Sequence, residues 1–389
     1  MADLVKTVVV ASPFANMAPL YEVDPDADVL LIVPPTTKPF APWDEPSVNG
    51  TSEVKSSAAL KSSSGLRIKA SSRHLSLASR VFRNKLQHAS AKTATQSDGR
   101  IHLALADDGS FHPKPVTIVL NAIHGRGSKV PRAVDLETLA QIALFVDRFQ
   151  VYDAVEVYAD RWIAQLEDKL GEAYDRDLVL WVYASYVFRR PDVFRAATKV
   201  AVAHSSGPLR TLGLPIREKI IRNIDTQRQA LVAKSVTILH DTLDGLTSGA
   251  AVCPKYHCDS FLLGELVKTL HKSHLVWPRP TKPFVGVSHA AIAEAVNASA
   301  EFRWIEADGT DLWGAPVNGT KVVSRKRKSP VQQPITPESS PEPASRKSGG
   351  FDSHVCDARK LVGRVADLEK LEEGVTGLDL ESNLGYQLY

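Results

Sequence analysis

Residues 28–33, Asp28-Val-Leu-Leu-Ile-Val33, form a short apolar run closed by Pro34-Pro35, the pattern of a strand buried on both faces. Leu66-Arg-Ile-Lys-Ala70 alternates apolar and polar residues, as a half-buried partner strand does. Together they predict a strand pair with a loop inserted over residues 34–65. Two short helical pieces follow, His74–Ser79 and Val81–Leu86, and then a third alternating stretch, Ile101–Leu105. From residue 112 the period becomes helical: Val116, Val119, Leu120 and Ile123 share a face, and Gly125 and Gly127 end it. Asp135 is placed to cap a helix whose face is Leu136, Leu139, Ala140, Ala143 and Val146, and Val151–Ile163 continues as another. Beyond Gly171 every signal is helical: Leu178–Phe188, Val193–Val202, a long segment opened by Pro215 and running to Leu246, then Phe261–Leu270 and Ala290–Ala300.

Proline and serine set the boundaries. Pro34, Pro35, Pro39, Pro42 and Pro46 fall in residues 34–65, and Pro316, Pro330, Pro334, Pro337, Pro341 and Pro343 fall in residues 314–350, nearly half of the 24 prolines of the 389-residue chain. The second stretch has no aromatic residue, so it cannot bury enough apolar surface to offset chain entropy and reads as a disordered linker. The first reads as a long loop anchored by Phe40 and Trp43. Residues 355–375 space Leu361, Val365, Leu368, Leu371 and Val375 along one helical face; so short a helix needs tertiary packing, and docking back on its own domain is preferred to a partner helix. The expected organisation is an amino-terminal segment over 1–19, an α+β domain over 20–170 built as a small mixed sheet covered by helices, and an all-helical domain over 171–300. A disordered basic linker over 301–350 and a short amphipathic helix with a tail over 351–389 complete it, so that the carboxy-terminal region is largely disordered.

Composition adds limits. Hydrophobic residues at 43% and charged residues at 23% exclude a collagen-like or wholly disordered chain. A net charge of +3 is too mild for a nucleic-acid or membrane-surface footprint. Three cysteines, no signal-peptide core and no run of about 18 apolar residues predict an intracellular protein, nuclear or cytoplasmic, with no membrane contact.

Candidate chemistry is sparse. Cys253, His257 and Cys258 offer three metal-ligating side chains, with His354 or Cys356 as a distant fourth, but adjacent His257 and Cys258 do not easily aim at one ion, so a loop packed by thiols is preferred. Asp24, Asp26 and Asp28 lack the glycine and terminal glutamate of a calcium loop and read as a strand-entry turn. His124-Gly-Arg-Gly127 follows a helix and reads as its terminator. No nucleophile elbow and no phosphate loop occurs, so the expectation is a protein that is not an enzyme and carries no cofactor and no metal. In the linker, Arg325, Lys326, Arg327 and Lys328 form a basic run that suits a nuclear-import peptide or a solvated charge run. Ser329, Thr336 and Ser340 each precede proline and suit phosphorylation, which adds about −1.5 to −2 charges apiece beside that run.

The stretch from Leu66 to Leu86 resembles the BTB/POZ domain signature, an alternating strand followed by Leu-x-x-x-Ser-x-x-Phe, with Leu75, Ser79 and Phe82 at those places. Asp28 and the strand after it resemble the opening strand of that fold, Val116–Gly125 is similar to the helix that ends in its Ile-Tyr-x-Gly-like turn, and Leu136–Trp162 to its final helical pair. The Trp181–Phe188 block and Cys258–Gly264 resemble the helical extension of fungal BTB-domain proteins. Two features differ: Ser71 stands four residues before Leu75, where the family often has histidine, and residues 34–65 fall where many members have a tight turn. The resemblance implies a BTB/POZ-like adaptor or scaffold that works through protein partners: a homodimer through the BTB-like domain, a cullin ubiquitin ligase, or a transcription-related assembly. The alternatives are an enzyme with an unrecognised pocket between the mixed and helical domains, and a helical DNA-binding regulator using Lys268, His271, Lys272 and His274, for which scattered helix-surface charge is the stronger explanation.

Overall fold

Alternation and β-branching at residues 29–33, 66–70 and 101–104 translate into three strands of one small sheet, and a fourth, shorter strand joins them. The computed structural model describes residues 18–36, 38–43, 65–92, 98–106, 110–248, 256–300 and 362–384. The strands are β1 (Leu20–Glu22), β2 (Val29–Val33), β3 (Leu66–Ala70) and β4 (Ile101–Ala104), in the order β1-β3-β2-β4. β2 pairs antiparallel with β3, Leu31 opposite Ile68, and parallel with β4, Leu31 opposite Leu103; β1 pairs parallel with β3. The sheet is therefore mixed. β2 is central and buried on both faces, which is why its sequence is a continuous apolar run. β1 was not expected: three residues are too few to show an alternation, and its register comes from β3, far along the chain.

Twelve helices occur among the described residues. α1 (Ser72–Ala78) and α2 (Arg80–Lys92) follow β3 directly, and α3 (Pro113–Ile123) opens on a proline in its first turn. α4 (Leu136–Phe149) is capped as its sequence predicts, the Asp135 carboxylate accepting the Thr138 N–H at 2.6 Å. α5 (Tyr152–Leu166) and α6 (Arg176–Val187) come next; α6 is buried on every side from Leu178 to Tyr186, so it is a central element. α7 (Pro191–His204) precedes α8 (Glu218–Ser248), which starts three residues after the expected Pro215. α9 (Tyr256–Lys272), α10 (His289–Ala300), α11 (Val362–Glu373) and α12 (Leu380–Asn383) complete the set.

The described chain divides into two compact units. The first comprises residues up to Lys234 with Thr281–Ala290 and the described part of Leu371–Tyr389. One buried cluster runs through it, from Val23 in the sheet region to Leu231 in α8, with Leu378 and Leu380 added from the carboxy-terminal end. The expected boundary at residue 171 lies inside this core, because α6 packs against α4. Phe82, Phe111, Phe145 and Phe149 form its aromatic centre, with Phe82 stacked on Phe149 at 4.4 Å between centroids and 6° between planes. Of the long loop, Phe40 and Trp43 do anchor the described part: Trp43 meets Tyr174 edge-on at 5.7 Å under the Arg210 guanidinium, and Arg176 donates to the Phe40 and Ala41 carbonyls at 2.9 Å each. The second unit comprises Ser235–Pro280 with the described parts of Ala291–Lys370, and is helical; Val236, Leu239, Leu243 and Leu246 of α8 and Leu262, Leu266 and Leu270 of α9 are buried in it.

Candidate interaction site on the amino-terminal unit

Leaving β3 at Ala70, the chain turns at once into α1, and this corner gathers the residues that carry the family resemblance. Asp28, at the entry to β2, accepts the Ser72 backbone N–H at 2.8 Å and the Ser72 hydroxyl at 2.5 Å. Desolvation works against its charged form, but these bonds from Ser72 outweigh it and hold the Asp28 carboxyl below its ordinary value. A carboxylate at the first turn of α1 also faces the positive end of the helix dipole.

Ser71 is the N-cap of α1 and its side chain makes no capping bond; its backbone N–H instead donates to His124 Nε2 at 3.0 Å. An accepting Nε2 places the proton of a neutral His124 on Nδ1, which donates to the Leu120 carbonyl at 2.8 Å. His74 stacks on His124, 4.9 Å between centroids. Burial pushes the His124 pKa below its ordinary value; the Leu120 bond works the other way, and His74 adds to the lowering. Ligand atoms of Asp24, His74 and His124 lie within 4.8 Å of one another, yet both His124 nitrogens are already committed, so a metal would have to displace the Ser71 amide. Asp24 itself accepts the Asp26 N–H at 2.9 Å, a turn entering β2, as its spacing predicts. His124 caps the end of α3 and Gly125 follows at a φ of +71°, the left-handed residue that terminates the helix.

Leu75, Ser79 and Phe82 point inward. Leu75 and Phe82 are wholly buried, and Ser79 is nearly so. The Ser79 hydroxyl donates to the Phe149 carbonyl at 2.5 Å and accepts the Phe82 N–H at 3.0 Å, so one side chain ends α1, caps α2 and ties both to α4. These residues build the corner; they do not face a partner. What the corner presents outward is Leu77 of α1, 83% exposed, while Leu20 of the edge strand β1 is half exposed.

No family model, no curated protein and no solved structure matches this chain.

Other sequence candidates fall elsewhere. Cys253 lies outside the described residues, as do the side chains of His257 and Cys258 in α9. So do Arg325, Lys326, Arg327 and Lys328, together with Ser329, Thr336 and Ser340. Lys268, His271, Lys272 and His274 are exposed at the carboxy-terminal end of α9, where positive charge complements the helix dipole. No described helix is long and apolar enough to cross a membrane. His124 was missed as the partner of α1 because its acceptor role joins residues 53 positions apart, which no local pattern signals.

Proposed function

We propose that this protein is a non-enzymatic interaction adaptor or scaffold that works through a BTB/POZ-like amino-terminal module. The observation that carries the reading is the β3–α1–α2 corner, where Leu75, Ser79 and Phe82 interlock with α4 while Leu77 on the same short helix stays exposed. Such an arrangement spends its polar and aromatic side chains on holding a rigid frame and leaves an apolar side chain outside it, which suits burial against another protein. The order of elements supports it as well: an antiparallel β2–β3 pair, two helices, β4 parallel to β2, then α3 and the α4–α5 pair.

The resemblance brings two classes of partner, a second copy of this chain and a cullin-type ligase scaffold. Mass measurement of the purified chain by light scattering tests the first, and capture by an immobilised cullin amino-terminal domain tests the second. Absence of both interactions from the wild-type chain overturns the reading. Arg325–Lys328 is proposed as a nuclear-import peptide; a fluorescent fusion with these four residues changed to alanine should shift from nucleus to cytoplasm, and an unchanged distribution contradicts it.

A further inference from the structure

Residues 376–384 return from far along the sequence to seat on α7 and the first turns of α8, and the contacts are those of a groove reading a short peptide. Thr198 of α7 is wholly buried; its hydroxyl donates to the Phe194 carbonyl at 2.8 Å and accepts the Leu378 N–H at 2.8 Å. Gly377 passes α7 so closely, at a φ of +72°, that a Cβ there would run into the Arg195 carbonyl. Only glycine fits that passage. Leu378 and Leu380 are each 3% exposed and enter the main core. Asp379 caps the single turn of α12 by accepting the Ser382 N–H at 2.9 Å. From α8, Lys219 Nζ donates to the Ser382 carbonyl at 2.5 Å and Asn223 Nδ2 donates to Asn383 Oδ1 at 2.8 Å. Just upstream, Glu372 lies between two imidazoles, 3.7 Å from His204 and 3.6 Å from His289.

A four-residue helix has no stability of its own in water. The shape of residues 377–383 is therefore imposed by α7 and α8, which recognise a passing glycine, two leucines and a terminal asparagine. All of these lie within seven consecutive positions, so the recognition belongs to a linear motif, Gly-Leu-x-Leu-x-x-Asn, whether or not that motif arrives on the same chain.

We propose that the α7–α8 surface is a peptide-docking site and that residues 376–384 are its resident ligand, exchangeable with the same segment of a second copy. The site uses no residue of the β3–α1–α2 corner, so it stands or falls independently of the BTB-like reading. In such a site the resident segment competes with the incoming one at an effective concentration set by its tether.

The test is fluorescence anisotropy of a labelled peptide spanning residues 374–384, titrated with full-length chains. Gly377→Val evicts the resident segment and should bind the peptide saturably, at least about tenfold more tightly than wild type, whose site is filled. Adding Asn223→Ala and Lys219→Ala to that variant should weaken binding by about tenfold or more, since it removes both α8 hydrogen bonds. Leu380→Asp supplies a second way to empty the site. Absence of saturable binding to a folded Gly377→Val chain overturns the proposal, and so does equal affinity for wild type. If Gly377→Val and Leu380→Asp both fail to fold, the segment is a permanent part of the core and the proposal is wrong.

Discussion

Ser79 and His124 do their work through the number of hydrogen bonds each side chain makes. The Ser79 hydroxyl serves the Phe149 carbonyl and the Phe82 amide at once, both inside the core. Ser79→Ala leaves those two groups without water or replacement, and we expect a loss of about 1–3 kcal/mol, read as a lower urea midpoint with an unchanged slope. A midpoint within error of wild type contradicts the bonding assigned to Ser79. His124 holds the Ser71 amide only while its Nε2 is unprotonated. Its folded pKa is lowered from 6.5, so the unfolded chain binds the extra proton first as the solution is acidified. The stability it contributes is thus complete above about pH 6.5 and is lost as pH falls below that value toward the folded pKa. His112, His240 and His289 are shifted the same way, each first by burial, so the effect must be taken as a difference. Thermal melts from pH 7.5 to 5 should fall more steeply for wild type than for His124→Gln, whose amide oxygen accepts the same N–H without titrating. Parallel slopes contradict the coupling.

At the scale of elements, Arg228 shows how a long helix organises a distant loop. It is wholly buried in α8, pairs with Asp225 at 2.8 Å, and donates to the carbonyls of Pro283 and Phe284 at 2.8 and 3.1 Å. Arg228→Ala removes the cation from Asp225, takes the guanidinium donor from the Pro283 carbonyl and leaves the Phe284 carbonyl with only the longer bond from the Val287 N–H, and should cost about 3–5 kcal/mol; chemical denaturation that finds less than 1 kcal/mol contradicts that role. Elements of this kind separate what the sequence shows from what it hides. β2, β3, the Asp135 cap and the whole run from α3 to α7 were legible, because period, capping residue and glycine stop are local signals. β1 was not, nor the partners of Arg228 and Thr198, because strand pairing and buried hydrogen bonds over 55 to 180 positions leave no periodicity. Leu75, Ser79 and Phe82 were singled out by their spacing, and they lie together in one buried corner. Their inward direction was not legible, since spacing places residues on a helix without saying which face the core takes.

Over the whole molecule, the core of the first unit crosses the boundary expected at residue 171 and continues to Leu231, so that α6 and α7 belong with the sheet and not with a separate helical domain. The segment around Leu378 and Leu380 adds to the same core. On the proposed reading, Leu77 and the β1 edge are the exposed parts of this unit that a partner would cover, and a pre-ordered surface lowers the entropic cost of association. The most direct test of this account is the mass of the full-length chain by size-exclusion chromatography with light scattering across a micromolar concentration series, alongside Leu77→Asp. Wild type should show a dimeric mass that moves toward the monomer in Leu77→Asp with no loss of helical signal; a monomeric wild type at every concentration contradicts self-association through the amino-terminal unit.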